Sequence, residues 1–288
     1  MSAERTTAGP MGSVVAAIET WPRDAAVVRR GVEEAAVRGC PLTVLHVVDV
    51  DDDASGGEDG APEGALAAAE HLVRQLRPRL RLRTTVEKGP VAARIVRASR
   101  SADLLLVGNK GPQPRDTVAR DAVTINVAAR AWCPVEVVPV PGPGSTRPVP
   151  CTRVVAVVTP AGRVADLAPP ALAEAAWCDA RLEFWFGDDA APGHADDLAP
   201  WLSASSGVPI ASVVVPGGVL AIIGALEPTD LVVTLRGTGA ACWGRPDGAT
   251  RALVEQTHCP VLVVPRRGPV ARRGAARAGA WDQGPQAP

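Results

Sequence analysis

Trp132-Cys133-Pro134-Val135-Glu136-Val137-Val138-Pro139 and His258-Cys259-Pro260-Val261-Leu262-Val263-Val264-Pro265 close the two halves of this chain in nearly the same words. The two cysteines lie 126 residues apart. A second pair of segments, Asp103-Leu104-Leu105-Leu106-Val107 and Asp230-Leu231-Val232-Val233-Thr234, repeats at an offset of 127. The opening apolar runs, Val14–Ile18 and Val154–Val158, are 140 residues apart. The chain is therefore a tandem duplication, with about 13 residues fewer inside the second copy than inside the first. Two such units act as controls for one another: a residue kept in one and dropped in the other is not needed for folding.

Within the first copy, short apolar runs alternate with helical periodicity. Val14–Ile18, Leu42–Val48, Arg81–Glu87, Leu104–Val107 and Val135–Val138 read as strands. Between them, Arg23–Arg38, Leu66–Leu76, Val91–Ser99 and Thr117–Ala131 carry apolar residues at helical spacing. The second copy repeats the order: strands at 154–158, 181–186, 210–215, 231–235 and 261–264, helices near 164–177, 196–204, 218–226 and 247–257. Strict alternation predicts parallel strands with helices on both sheet faces. The units are bounded as residues 14–139 and 153–265. A Pro/Gly linker at 140–152 joins them, and a basic, disordered tail is expected at 266–288.

A chain of 288 residues suffices for two cores of ordinary size. Its net charge of −1 favours neither specific nucleic-acid nor membrane binding. No apolar run reaches the ~18 residues of a membrane span, and the first residues lack a signal-peptide pattern, so the expected location is cytoplasmic. Six cysteines (40, 133, 151, 178, 242 and 259) show no Cys-x-x-Cys spacing and predict neither a disulfide framework nor a zinc site.

The Asp-Leu-Leu-Leu-Val-Gly strand at 103–108, the helix some ten residues later and the Cys-Pro-Val close together resemble the universal stress protein family. The resemblance covers about 14–139 and 153–265. It implies two tandem doubly wound, Rossmann-like, five-stranded parallel sheets. ATP-binding members carry Gly-x2-Gly-x9-Gly-[Ser/Thr] after the fourth strand, where glycines admit backbone N–H groups to phosphate oxygens. Gly108 and Gly111 match the first two positions, but Asp121 and Ala122 stand where Gly and Ser/Thr belong. Thr124 lies two positions too late to replace the hydroxyl. The family's acid at the end of strand one is matched by Glu19, and the adenine-lining position falls near Val47. In the second unit Leu235, Thr238 and Asp247-Gly248 occupy the motif positions, and Thr159 replaces the acid.

Lys88 and Lys110 are the chain's only lysines, and each follows a strand whose end faces a ligand crevice in open α/β sheets. They are candidate anion contacts. Asp49, Asp51 and Asp53 begin like a calcium loop, but Ala54 replaces the required glycine. The histidines are scattered, and His46 lies inside an apolar strand. No base, nucleophile or metal-ligand pattern supports catalysis, so the chain reads as a non-enzymatic stress-response module without a required cofactor. Weak ATP binding is confined to the first unit. Alternatives are an adenine-nucleotide sensor with altered phosphate contacts and a weak ATPase. The family commonly pairs through its last strand, which implies an intramolecular pseudo-dimer through 135–138 and 261–264, with a homodimer also possible.

Overall fold

A computed structural model describes residues 12–49, 62–109, 118–140, 151–159, 162–187, 197–201, 207–237 and 247–266, without the side chains of 118–122. Most of the linker, the tail beyond 266, the acidic loop from 50, Lys110 and Gly111 lie outside these residues.

The first half runs β1 (Ser13–Ile18), α1 (Ala25–Val37), β2 (Leu42–Val48), α2 (Pro62–Leu76), β3 (Leu82–Lys88), α3 (Val91–Ala98), β4 (Ala102–Asn109), α4 (Val118–Arg130) and β5 (Val135–Pro139). The second runs β6 (Arg153–Val158), α5 (Val164–Cys178), β7 (Arg181–Gly187), β8 (Ile210–Val215), α6 (Gly218–Ala225), β9 (Asp230–Leu235), α7 (Gly248–Gln256) and β10 (Val261–Val264). A short helical stretch at 197–201 precedes β8.

The α/β class stands as the alternation predicts, but the division into two sheets does not. The strands form one ten-stranded sheet in the order β3-β2-β1-β4-β5-β10-β9-β6-β7-β8. Every neighbouring pair is parallel except β5 and β10, which run antiparallel with Val261 opposite Val137, Leu262 opposite Glu136 and Val263 opposite Val135. The Cys-Pro closes explain the merger. Each ends in an apolar strand with a free edge, and an exposed apolar edge is stable only when paired.

Alternation along the strands builds two cores. Val14, Ala16, Leu104, Leu106, Val154 and Ala156 pack under α1, α2 and α5. Val15, Leu105, Val135, Val155 and Val261 pack under α3, α4, α6 and α7. Each core draws on both halves, so apolar burial is continuous across the β5–β10 seam.

The seam also carries charge. Glu136, 1% exposed, meets Arg30 of α1 at 2.6 Å. Arg30 also holds Glu34 at 2.7 Å. Arg38 holds Glu34 and, across the seam, Glu174 of α5, each at 2.7 Å. The Arg38 guanidinium lies 4.0 Å over the Trp177 ring. Buried charges persist only when paired like this, since an uncompensated one costs several kcal/mol. The chain of contacts has three carboxylates for two guanidiniums. Burial pushes the Glu174 carboxyl up to about 8, with Glu34 and Glu136 adding repulsion. Glu136 is likewise raised by burial.

Candidate functional site

In a doubly wound sheet a ligand crevice opens at the carboxyl ends of the strands where the strand order reverses. In the first half that point lies between β1 and β4, which are adjacent and in register from Val14 with Leu104 to Ala17 with Val107. Glu19 follows the end of β1, and Gly108 lies near the end of β4. These two candidates are brought together. Lys88 is not: it ends β3, separated from β1 by β2, and its side chain is exposed. Two strand spacings amount to about 10 Å. Val47 sits in β2, half-buried against the core under α3 and α4. Lys110 and Gly111 lie outside the described residues.

The crevice is occupied by the chain's own side chains. Asp24, 4% exposed, precedes α1 and turns its carboxylate back to the end of β1. Its Oδ2 accepts from the Glu19 N–H at 2.6 Å and the Thr20 N–H at 2.9 Å. Those are backbone donors that an incoming anion would otherwise take. The Glu19 side chain leaves the crevice and pairs with Arg23 at 3.0 Å, half-exposed.

Gly108 is glycine for a packing reason. A methyl on its Cα would lie 2.8 Å from Val140 Cγ2, 3.3 Å from Val27 Cγ2 and 3.4 Å from Asp24 Oδ1. Val140 is fixed there because its N–H donates to the Asn109 carbonyl at 2.7 Å. Asn109, buried, donates its side-chain amide to the Val254 carbonyl of α7, in the other half. The start of the motif is thus anchored to the seam. His46, beside Ile18 in the register, is buried, its Nδ1 has no partner among the described residues, and burial lowers its pKa. It is a neutral core ring.

Asp121 and Ala122 fall inside α4, which begins at Val118. The missing Gly-Ser pair has become part of a helical turn. Thr124 serves the scaffold instead. Its hydroxyl donates to the Gly108 carbonyl at 3.0 Å and closes the helix against the strand.

The second half repeats that tie. Thr250, fully buried, donates its hydroxyl to the Leu235 carbonyl at 3.3 Å. Here Asp247 caps α7, accepting from the Thr250 N–H at 2.7 Å. Its carboxylate packs where a side chain on Gly237 would stand. Leu235, 2% exposed, fills the crevice floor, with its Cδ1 3.6 Å from where a Gly162 methyl would be. Thr159 is buried beside it. Arg236 mirrors Asn109, donating to the Ala131 carbonyl of the first half at 2.7 Å.

Sequence reasoning missed Asp24, Val140, Asn109 and Arg236. Asp24 carried a signal, as an acid before a helix start. The Thr124/Thr250 pair was visible as one residue type repeated at the offset of the Cys-Pro closes. The cross-ties from Asn109 and Arg236 had no signal, because different residues fill the same role. Among the described residues no group of three or more His, Cys, Asp or Glu side chains could hold a metal. No helix among them is long and apolar enough to cross a membrane.

Comparison with known proteins gives a consistent picture. The model of the Universal stress protein family matches residues 11–139. Universal stress proteins from two strains of Mycobacterium tuberculosis are 32% identical over 132 residues, 44% of this chain. That match spans about half of those relatives, 47% of their length. Among solved structures, a universal stress protein from Archaeoglobus fulgidus superposes with a TM-score of 0.69 at 13% identity, covering 88% of this chain and 96% of the other. A functionally unknown protein from Pseudomonas aeruginosa gives 0.61 at 13% identity, over 93% of this chain and 98% of the other. These two likenesses speak for the fold over both halves, and the family match speaks for descent over the first: residues 11–139 form a domain of the universal stress protein family.

Proposed function

We propose that the chain is a non-catalytic stress-response module of the cytoplasm, with a degenerate nucleotide site in the first half and none in the second. One observation carries this reading. The Asp24 carboxylate is buried in the first crevice and holds the Glu19 and Thr20 N–H groups that a ligand would need. A phosphate there would meet the Asp24 carboxylate, itself paired with Arg23 at 3.7 Å, and find its backbone donors taken. Residues 14–139 and 153–265 act as two domains, and their pairing through β5 and β10 makes the chain its own dimer. With both last strands engaged, a homodimer would use another surface. The module works through protein partners and needs no cofactor.

The test is calorimetric titration of the full chain with ATP. Losing a phosphate-facing turn and a hydroxyl, at ~1–3 kcal/mol each, weakens binding by roughly a hundredfold or more against an intact site. Low-micromolar ATP binding by the native chain overturns the proposal.

The second reading is adenine-nucleotide sensing with altered phosphate contacts. It is favoured by Glu19 and Gly108 standing at the ends of adjacent strands. Low-micromolar binding of an adenine nucleotide by the native chain supports it, whereas affinity regained only by Asp121→Gly with Ala122→Ser marks a decayed ATP site.

A further inference from the structure

A second chemistry lies at the amino ends of β6 and β7, where the second half begins. Cys151 lies two residues before β6, and Cys178 is the last residue of α5, three before β7. β6 and β7 are parallel neighbours in register, Arg153 opposite Arg181, so both cysteines lie at the same end of adjacent strands, and both pack against the same apolar core. Each thiol is the largest influence on the acidity of the other. The Cys151 thiol also donates to the Arg153 carbonyl at 3.6 Å. Both residues are partly exposed, and neither is disulfide-bonded.

The remaining described cysteines contrast with this pair. Cys40, Cys133 and Cys259 are buried, and burial pushes Cys133 and Cys259 up to about 12. Thiols held protonated and covered are inert. At Cys151 the Cys178 thiol lowers the pKa, and Arg30 adds attraction. Cys178 is raised, first by the Cys151 thiol and then by burial. A thiolate beside a second thiol is the arrangement of an attacking and a resolving cysteine.

We propose that Cys151 and Cys178 are an oxidisable thiol pair that low-molecular-weight disulfides convert reversibly to an intramolecular disulfide. The Cys151 thiolate attacks one sulfur of the small disulfide, forming a mixed disulfide and releasing one small thiolate, which is protonated by solvent. Cys178 then loses its proton to solvent and attacks Cys151 Sγ. The Cys151–Cys178 bond forms and the second small thiolate leaves. Two protein thiols are oxidised, one small disulfide is reduced to two thiols, and excess small thiol reverses both steps. The product ties the start of β6 to the end of α5, beside the Arg30–Glu136 contact. This inference is independent of the nucleotide reading, because neither cysteine is among the residues that line the crevices.

The experiment treats the fully reduced full-length chain with oxidised glutathione, blocks free thiols with N-ethylmaleimide under denaturing conditions, and maps peptides by mass spectrometry. The expected result is one cross-linked species joining the peptides of Cys151 and Cys178, two fewer maleimides per chain, and full reversal by dithiothreitol. In Cys178→Ser the reaction stops at a glutathione adduct on Cys151. In Cys151→Ser the adduct on Cys178 forms at least tenfold more slowly. Either cysteine cross-linked instead to Cys242 or another thiol, or both recovered fully alkylated from the native chain, overturns the proposal. The native-chain map decides the matter even if a variant misfolds.

Discussion

The two crevices of this molecule share a scaffold and differ in everything a ligand would touch. At the end of β4, Gly108 is covered by Val140 and Asp24; at the end of β9, Leu235 fills the floor itself. Yet Thr124 and Thr250 make the same hydroxyl-to-carbonyl tie, and Asn109 and Arg236 each reach across to a carbonyl at or just beyond the end of the other half's last helix. What both halves retain is the joinery, and what they vary is the chemistry of binding. The comparison teaches that a glycine in a motif position is not by itself a sign of a ligand, since Gly108 is required by its neighbours.

The seam that unites the halves is the place to break this comparison. Leu262→Glu sets a second carboxylate directly opposite buried Glu136 in the β5–β10 pair. An uncompensated buried charge costs about 3–5 kcal/mol, and urea unfolding of the variant measures it. A loss below about 1 kcal/mol means the strands do not pair in this register.

The first crevice is probed next. Gly108→Ala places a methyl 2.8 Å from Val140 Cγ2 and is expected to cost about 1–3 kcal/mol. Adding Val140→Ala recovers part of that loss, which shows the clash to be local. In the second crevice, Gly162→Ala has its nearest atoms at 3.3 Å and costs less, under about 1 kcal/mol. Equal costs at 108 and 162 erase the distinction between a packed and a plugged crevice.

Acidity sharpens the contrast between seam and crevice. The Glu174 carboxyl is raised in the fold to about 8, above the ordinary 4.5. The folded chain therefore holds a proton that the unfolded chain releases. The stability this provides is full below about pH 4.5 and is lost as pH rises through about 8, by up to about 1.4 kcal/mol per pH unit. Glu174→Gln flattens that slope in melting curves taken between pH 5 and 8. An unchanged slope removes Glu174 from the network.

The smallest expected effect tests what the halves share. Thr124→Val and Thr250→Val each remove one hydroxyl-to-carbonyl bond, worth about 1 kcal/mol, and their losses in urea unfolding agree within about 0.5 kcal/mol. A Thr124 variant without effect, beside a Thr250 variant with one, means the tie matters in one half alone.

Much of the fold was legible because hydrophobic pattern and burial are coupled. Strands at 210–215 and 261–264 lie where their apolar runs place them, and most helices differ by a residue or two at their ends, whereas α2 starts four residues before Leu66. The single sheet did not follow from local periodicity: pairing between β5 and β10 depends on an edge finding a partner more than 120 residues away, and only the family resemblance pointed to those strands. In the site, Gly108 and Glu19 were found by motif, but their roles were not. The motif names residue types, whereas Asp24 acts through a turn that brings residue 24 back to the N–H groups of 19 and 20. Glu136 was readable only as a polar residue in an apolar strand, and its partner Arg30 lies 106 residues earlier.

Glu136 facing Leu262 has a consequence for how such a chain arises. When two identical subunits meet about a twofold axis, the residue at the axis must face its own copy and suit itself. Two glutamates there would repel in a dry interface, and two leucines would leave Arg30 without its closest carboxylate. Covalent fusion lifts that demand. One copy can turn acidic and recruit a guanidinium while the other stays oily, and the pair fits better than either would with itself. The strand that closes each half thus records the stage at which two interchangeable partners became two committed ones.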